Sequence, residues 1–561
     1  MPISRHFATI RSGRFGARQV HYRRTGQGPL VLMLHQSPLS SRDMEATMLR
    51  WQDRFTMIAP DTPGYGLSDP FGFDSVEMDD IAEAVVEFLD AIGVARCAVY
   101  GFHTGAMIVG ALAARYPDRI SGAVANGYVV LSPEERDDIV AHYLPAFEPQ
   151  WDGSHLTWLW ARMREQTIFF PWYARHRANR LDFDVPSPET LQAGLVEFLR
   201  AGDNYRIGYR AAFTFRSLEA LTKVRTPMLV TAADFDPLHE HLQRITRKSP
   251  SVDVVPGGTL DATLNLAGDF LARHARDEAP AVAATAPLPG RMWNEMVEVP
   301  GGQLRVRRNT DAPGQTVVVQ HDAASASDTV DAVSQSLIGH RPVLAIDLPG
   351  HGESDNTIGE RDVTVARYAE AVDQVLDAFG LEQVDFYGMW GGGLVGLEMA
   401  TRRPGRIAHL VMSDVLWFDE ALTALLEAHY TPPIEVNWYG GHLLMCWHLM
   451  RDQGLFWPWF DRSRAGIIWR EPWLDPAMIQ LRVTNMLKAP TMWRLAYQAH
   501  FAYPIKERLP SVRVPVLLCA PSWDPNFPHT EEAAAATGHQ MLTLPDDMGE
   551  WGPALLDFID R

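Results

Sequence analysis

Cysteine is scarce in this sequence, and its scarcity excludes two kinds of architecture. The 561 residues include three cysteines, Cys97, Cys446 and Cys519, with no C-x-x-C pair among them. A disulfide-stapled secreted domain and a cysteine-based metal site both need more thiols at fixed spacing. Two of the three lie within apolar, strand-like runs. We therefore predict buried free thiols in a reducing compartment.

Long apolar runs are also missing. The opening segment MPISRHFATIRSG has no apolar stretch of the kind that a secretion signal carries. No run of about 20 apolar residues, the length that spans a bilayer, occurs in the chain. These absences predict a cytoplasmic protein without a membrane partner.

Positive charge is the third shortage. Lysine and arginine number 50 against 69 aspartates and glutamates, which gives a formal net charge of -19. Nucleic acids and anionic membranes bind basic surfaces, and no basic run offsets this balance. We therefore expect a small-molecule substrate and no nucleic-acid partner.

What the sequence does contain is an internal repeat. The stretch YGFHTGAMIVGALAARYPDRI from Tyr100 returns as YGMWGGGLVGLEMATRRPGRI from Tyr387. At the same offset, WDGSHLTWLWARMREQTIFFPW from Trp151 returns as WYGGHLLMCWHLMRDQGLFWPW from Trp438. Earlier in each copy, APDTPGYGLSD is matched by AIDLPGHGESD. A repeat this long predicts two copies of one domain.

We place domain 1 at residues 1–276 and domain 2 at residues 291–561. Residues 277–290, DEAPAVAATAPLPG, are rich in alanine and proline and predict an extended linker. In each copy, apolar strand-like runs alternate with amphipathic helical patterns such as VEMDDIAEAVVEFLDAIG. This alternation predicts an α/β fold with a mostly parallel sheet and helices on both faces. We expect the joined copies to pack as an internal pseudo-dimer.

Four motifs, in one order and found twice, resemble those of the α/β-hydrolase superfamily. In copy one they are LHQSP after the third strand, DTPGYGLSD after the fourth, YGFHTGA after the fifth and AADFDPL late in the copy. The segments 128–216 and 415–504 resemble the helical cap that many members insert after the sixth strand. The resemblance covers nearly all of each copy and implies two tandem α/β-hydrolase-like domains. We expect neither a metal nor a cofactor.

The positions where the family keeps its Ser-His-Asp triad depart from the pattern. The serine of the strand-turn-helix motif G-x-S-x-G is replaced by His103 in copy one and by Trp390 in copy two. The family's acid is matched by Asp236 and Asp524, but neither copy has a histidine after the eighth strand. A covalent acyl-enzyme is therefore not expected.

An imidazole on this turn reaches farther than a serine hydroxyl, into the place of the missing histidine. We therefore predict a catalytic dyad in which Asp236 orients His103, and His103 acts as a general base on water or on substrate. The helix N-terminus after the turn favours negative charge, which predicts a lowered pKa and a neutral imidazole at pH 7. The alternative is that His103 is a neutral, hydrogen-bonded residue without a catalytic role, on a turn that no longer supports catalysis.

The resemblance also implies an oxyanion site. Backbone N–H groups of Thr104 and Ser37 would form it, with Gln36 as a further candidate. His35 either contacts substrate or supports its loop, as the family's histidine at this position commonly does. Ser37 as a nucleophile is the less favoured alternative, because no motif places a base beside it.

Aromatic and basic residues recur in the two cap segments. His155, Trp160 and Arg164 are matched in copy two by His442, Trp447 and Arg451. Trp160 and Arg164 are four residues apart and share a helix face, so they can line a pocket for a flat or apolar ligand whose carboxylate Arg164 holds. Core packing is the alternative, and the retention of the set in the copy with Trp390 favours it.

Two functions remain open. The first is an atypical α/β-hydrolase-type enzyme, a hydrolase or lyase, with its active site in domain 1 and a small apolar or aromatic substrate. The second is a catalytically silent ligand-binding or scaffolding pseudo-hydrolase. Only the enzyme would lose turnover, and keep its ligand, when His103 is replaced by alanine.

Overall fold

A computed structural model describes residues 2–73 and 75–561. The chain divides into two compact units. Unit 1 holds the residues up to Glu148 together with His155–Ala286, and unit 2 holds Pro149–Ser154 together with Pro287–Arg561.

The sheet of unit 1 is mostly parallel. Its strands are β1 (Ser4–Ile10), β2 (Arg18–Gly26), β3 (Leu30–Leu34), β4 (Thr56–Pro60), β5 (Cys97–Phe102), β6 (Ile120–Asn126), β7 (Met228–Thr231) and β8 (Val252–Val254). They lie in the order β1-β2-β4-β3-β5-β6-β7-β8. Strand β2 pairs antiparallel with β1 and β4, and the remaining pairs are parallel.

The helices of unit 1 form two groups. Those that flank the sheet are α1 (Glu45–Trp51), α2 (Met78–Ala91), α3 (Thr104–Arg115) and α9 (Leu260–His274). Those between β6 and β7 are α4 (Pro133–His142), α5 (Ser154–Gln166), α6 (Pro188–Ala201), α7 (Tyr205–Thr214) and α8 (Ser217–Lys223). The second group occupies the segment in which the sequence predicts a cap.

The core lies on both faces of this sheet. Successive side chains of a strand point to opposite faces. Leu32 and Leu34 of β3 belong to one buried cluster with α2 and α3, whereas Val31 and Met33 belong to another with α1 and α9. Burial on both faces explains why the strand has no polar alternation.

Unit 2 repeats the architecture. Its strands are β9 (Trp293–Val299), β10 (Gly302–Asn309), β11 (Val317–Gln320), β12 (Val343–Ile346), β13 (Val384–Met389), β14 (Ile407–Ser413), β15 (Val516–Pro521) and β16 (Gln540–Leu544). Its helices are α10 (Asp331–Ser336), α11 (Val365–Ala378), α12 (Gly391–Arg402), α13 (Glu420–His429), α14 (Gly441–Asp452), α15 (Pro476–Lys488), α16 (Met492–Phe501), α17 (Ile505–Arg508), α18 (Phe527–Thr537) and α19 (Trp551–Ile559). The strand order β9-β10-β12-β11-β13-β14-β15-β16 is that of unit 1. The predicted α/β fold is confirmed.

A buried aspartate after the fourth strand fixes the loops around each sheet's carboxyl edge. In unit 1, Asp61 accepts hydrogen bonds from the backbone N–H groups of Ser41 and Leu67, at 2.8 and 2.9 Å, and from His21 Nδ1 at 2.8 Å. In unit 2, Asp347 accepts from the backbone N–H of Ser327 at 2.7 Å. These carboxylates hold backbone that no strand pairs.

Two further sequence predictions, those of the linker and of the thiols, can be compared with the structure at this level. Part of the predicted linker lies against unit 1, where the carbonyl of Asp277 accepts from the N–H of Leu30 at 2.7 Å. The three cysteines are free and buried, as predicted. No helix in the described residues is long and apolar enough to cross a membrane, and no group of three potential metal ligands is found among them.

Candidate active site

The turn between β5 and α3 carries His103 in a backbone conformation that few side chains adopt. Its φ is 48° and its ψ is -108°. Two glycines permit the turn: a Cβ on Gly101 would lie 2.2 Å from the carbonyl oxygen of Gly105, and one on Gly105 would lie 2.1 Å from that of Leu34. Such strain is typical of functional turns, because it lifts one side chain out of the sheet.

The raised side chain meets the predicted aspartate. His103 Nε2 lies 2.8 Å from Asp236 Oδ2, and Asp236 Oδ1 accepts the backbone N–H of Leu238 at 2.8 Å. The side chain of Asp236 is 6% exposed and that of His103 is 25% exposed. The structure therefore joins a sheltered carboxylate to an imidazole that solvent can reach.

This pairing sets which ring nitrogen carries the proton in the neutral imidazole. A carboxylate accepts, so Nε2 carries the proton and Nδ1 keeps its lone pair in the neutral ring. Within the described residues, nothing hydrogen-bonds to Nδ1. The ring of Phe102 stacks on the imidazole, with centroids 4.0 Å apart. The arrangement can therefore receive a proton at Nδ1.

The expected lowering of the His103 pKa is wrong. Burial does act to lower the pKa of the imidazole, but the charges of Asp236 and Asp43 and the hydrogen bond from Nε2 raise it above its ordinary value. The same contact lowers the pKa of Asp236, although burial opposes this. Two carboxylates thus outweigh the partial charge of the helix N-terminus.

Asp43 is a site residue that no motif indicated. It follows the LHQSP loop, and its Oδ1 lies 3.4 Å from the amide Nε2 of Gln36. Its Oδ2 is buried and has no hydrogen-bond partner in the described part of the chain. Burial raises the pKa of the Asp43 carboxyl, while the charges of His35 and His103 act to lower it. A buried acid whose charge shifts the pKa of a nearby imidazole is a feature that many catalytic sites share.

The loop after β3 is held together by its own side chains. His35 is 1% exposed; its Nδ1 donates to the carbonyl of Gln36 and its Nε2 accepts from the N–H of Thr62, each at 2.9 Å. Both ring nitrogens are therefore used within the loop. Among the two functions considered for His35, this geometry corresponds to loop support and leaves no ring nitrogen for substrate.

The structure brings the predicted oxyanion residues together, and they contact each other. The N–H of Ser37 donates to Thr104 Oγ1 at 3.3 Å. The hydroxyl of Ser37 donates to the hydroxyl of Tyr65 at 3.1 Å. An oxyanion would have to take the place of the Thr104 hydroxyl in order to receive the N–H of Ser37.

Gly127, directly after β6, makes room for the imidazole. A Cβ at this residue would lie 2.3 Å from His103 Cδ2 and 2.9 Å from Nε2.

We expect Gly127→Ala to push the ring away from Asp236, and so to lower the pKa of His103 in an NMR titration of its imidazole. The matched control is Gly93→Ala: its φ of 76° resembles the 74° of Gly127, but a Cβ there meets nothing within 4 Å. Both variants should lose about 1–2 kcal/mol of stability from the backbone conformation, so an equal His103 pKa in both would contradict the assignment.

Unit 2 keeps the turn but has a tryptophan on it. Trp390 has a φ of 47°, and Asp414 stands where unit 1 has Gly127. Asp414 is buried near Asp524; burial and their mutual repulsion raise the pKa of Asp414 well above its ordinary value, and burial raises that of Asp524 to about 6. A second carboxyl thus replaces the imidazole.

The oxyanion position of unit 2 is also occupied by the protein itself. Asp322, the counterpart of Gln36, accepts the N–H of Gly391 at 3.0 Å. His500 Nδ1 lies 3.3 Å from the same carboxylate oxygen. The amide that follows the turn residue is therefore already bound to a negative charge.

The cap residues singled out from the sequence lie on α5. His155 is 5% exposed and Trp160 is 2% exposed, while Arg164 is half-buried. The ring of His155 packs edge-on against Phe147, with centroids 5.8 Å apart. The burial of His155 and Trp160 agrees with the packing alternative.

Known proteins share this fold and parts of this sequence. The profile of the family described as alpha/beta hydrolase fold matches residues 29–250 and 323–433, more than half of the chain. Haloalkane dehalogenase 2 of Mycobacterium bovis is 36% identical over 107 residues, which are 19% of this chain and 37% of that protein. The 2-(acetamidomethylene)succinate hydrolase of Mesorhizobium japonicum is 34% identical over 125 residues, 21% of this chain and 45% of that protein. The chain thus matches less than half the length of these two relatives.

Among solved structures, a hydrolase from Pseudomonas aeruginosa aligns with a TM-score of 0.38 and 21% identity, over 48% of this chain and 98% of that chain.

Proposed function

The chain belongs to the alpha/beta hydrolase fold family, and we propose that unit 1 is a hydrolase that uses His103 and Asp236 in place of a serine nucleophile. The observation that carries this proposal is the 2.8 Å contact between His103 Nε2 and Asp236 Oδ2, made by a side chain raised on the family's turn. Relatives named as hydrolases support hydrolysis as the reaction type. Unit 2 has no equivalent base and is proposed to be non-catalytic.

The proposed reaction uses Nδ1 as the base. Nδ1 removes a proton from water as the water oxygen bonds to a polarised carbon of the substrate, and the imidazolium then returns the proton to the leaving group. Asp236 holds the ring through Nε2–H and stabilises the imidazolium. Asp43 adds a second negative charge nearby, which favours the protonated ring further.

The surroundings of the dyad favour a small apolar or aromatic substrate. Phe102 stacks on His103. Phe235, next to Asp236, and Phe183 are 48% and 40% exposed, with ring centroids 6.3 Å apart. Exposed aromatic rings beside a catalytic pair are suited to hold a flat group against the base.

Proton abstraction from carbon, as in a lyase, is the second candidate. It is favoured by the hydrogen bond from the N–H of Ser37 to Thr104 Oγ1, because this contact occupies an amide on which acyl transfer depends. The same dyad would serve, with Nδ1 taking the proton from substrate rather than from water.

Two measurements test the proposal together. The full chain is assayed against aromatic esters and lactones in water enriched in ¹⁸O, and separately incubated with a fluorophosphonate. We expect one ¹⁸O in the product acid and no stoichiometric labelling. Turnover of a carbon acid without ¹⁸O incorporation would indicate the lyase, and stoichiometric labelling of a serine would contradict a serine-free mechanism. Ligand that binds and is never consumed would mean a silent binding protein.

A further inference from the structure

Arg162 is a buried cation inside the cap of unit 1. It lies on α5, one turn before Gln166, and is 1% exposed. Its guanidinium carbon lies 5.1 to 5.7 Å from the centroids of four aromatic rings, those of Tyr143, Trp172, Phe198 and Tyr205. Ring faces attract a cation, but removing it from water costs more than they return unless an anion joins it.

The protein supplies Arg162 with one neutral acceptor. Nη1 donates to Gln166 Oε1 at 3.1 Å. Nε and Nη2 are buried and have no hydrogen-bond partner among the described residues. The carboxylate of Glu197, next to Phe198 in the sequence, accepts from Arg200 through Oε1, and its buried Oε2 has no hydrogen-bond partner among the described residues.

The two unpartnered nitrogens are adjacent. Nε–H and the nearer Nη2–H of an arginine point the same way, and together they form the side-on fork that binds both oxygens of a carboxylate. Nη1 stays with Gln166 and fixes the plane of the fork. The orientation suits a planar carboxylate in particular.

Unit 2 shows that the fold does not need this arginine. The counterpart of Arg162 is Leu449, which is 2% exposed on α14. The surrounding geometry is kept: Trp172 Nε1 donates to the carbonyl of Tyr143 at 3.3 Å, and the corresponding bond from Trp459 to Tyr430 is 3.0 Å. A leucine therefore fills the position, and it costs no desolvation of charge.

In unit 2, the counterpart of the glutamine is connected to the turn at Trp390. In unit 2, Gln453, the counterpart of Gln166, accepts from Arg482 Nη2 at 3.0 Å, and the guanidinium carbon of Arg482 lies 6.0 Å from the Trp390 ring. In unit 1, a single residue, Tyr65, lies between the loop after β3 and the cage, which is the set of four aromatic rings around Arg162. Tyr65 donates to the carbonyl of the cage residue Tyr205 at 2.9 Å and accepts from Ser37 Oγ at 3.1 Å.

We infer that Arg162 binds a carboxylate of the substrate, so that the natural substrate of unit 1 carries an anionic carboxyl group apart from the bond at His103. The inference rests on the proposed function for its placement and deepens it by naming a substrate class. Since the four rings enclose the guanidinium, a carboxylate reaches the fork only when a ring moves. Binding therefore displaces at least one of these four rings.

Direct binding tests this without turnover. The full chain is titrated by calorimetry with benzoate, with its neutral analogue benzamide, and with inorganic phosphate. We expect benzoate to bind and benzamide and phosphate not to bind, because benzoate alone of the three is a planar carboxylate with a negative charge. Arg162→Leu should weaken the affinity for benzoate about tenfold to a hundredfold, as loss of a charged hydrogen-bonded pair predicts. Leucine at the counterpart supports folding of this variant, and Arg162→Lys, which keeps charge without the fork, should fall in between.

The control is Arg482→Leu, which removes the glutamine-bound guanidinium of unit 2 and should leave benzoate binding unchanged. Equal benzoate affinity in the wild type and in Arg162→Leu would overturn the inference, as would equal affinity for benzamide or preference for phosphate. His103→Gln separates the two proposals. If it binds benzoate but has lost turnover, both stand. If benzoate binding depends on Arg162 while turnover survives in His103→Gln, the proposed function alone fails.

Discussion

Replacing His103 by glutamine is expected to lower turnover about 10²- to 10⁴-fold, the contribution typical of a general base. Glutamine keeps a polar side chain of similar length that can donate to Asp236, so the carboxylate stays paired. It cannot take up a proton at neutral pH. The measurement is kcat/KM on any ester or lactone that the wild-type chain hydrolyses, with circular dichroism to confirm folding.

The matched control for this variant is Trp390→Phe, at the same turn of unit 2. The indole of Trp390 occupies this turn but is neither a base nor a nucleophile. We expect kcat/KM to be unchanged within a factor of about two, since replacing a non-catalytic residue removes no transition-state interaction. Full activity in His103→Gln, or comparable loss in both variants, would show that the imidazole is not the base.

Replacing Asp236 by asparagine is expected to change both the rate and its pH dependence. Activity requires the neutral imidazole, so in the wild type it rises with pH through the pKa of His103, which is raised above 6.5. Asparagine removes the carboxylate that raises this pKa. The rising limb of kcat/KM should therefore move to lower pH while the plateau falls, because the imidazolium formed in the reaction has lost its partner.

Asp524→Asn is the control, since Asp524 is the acid at the same position of unit 2. It should leave the pH profile of kcat/KM in place, because its neighbour is Asp414 rather than an imidazole. A profile for Asp236→Asn that falls in rate without moving along the pH axis would mean that Asp236 braces the fold and does not act through His103.

The architecture of the site could be predicted from sequence because it depends on short, local patterns. The glycines at 101 and 105, the apolar strand before them and the helical pattern after them specify the turn at His103. The internal repeat placed Trp390 at the same turn. Asp236 was predicted from its position after the seventh strand, and the structure places it 2.8 Å from the ring.

Other parts of the site depend on residues that no pattern connects. Asp43 lies on a short turn outside every motif, yet its charge helps to raise the pKa of His103. Gly127 is one of 42 glycines, and only the packed structure shows that its missing side chain makes room for the imidazole. Arg162, two residues before the arginine singled out in the sequence, proved to be the one enclosed by aromatic rings.

By itself, the sequence determined that this protein consists of two copies of one α/β domain, and that His103 and Trp390 stand at the middle position of the two strand-turn-helix motifs. Chain-local periodicity and turn chemistry decide these features. The tertiary structure decided the direction in which the pKa of that imidazole shifts, and the contacts that surround the corresponding turn of the second copy. Electrostatic interactions and steric exclusion act between residues that are close in space. The positions of those residues along the chain do not show that they are close.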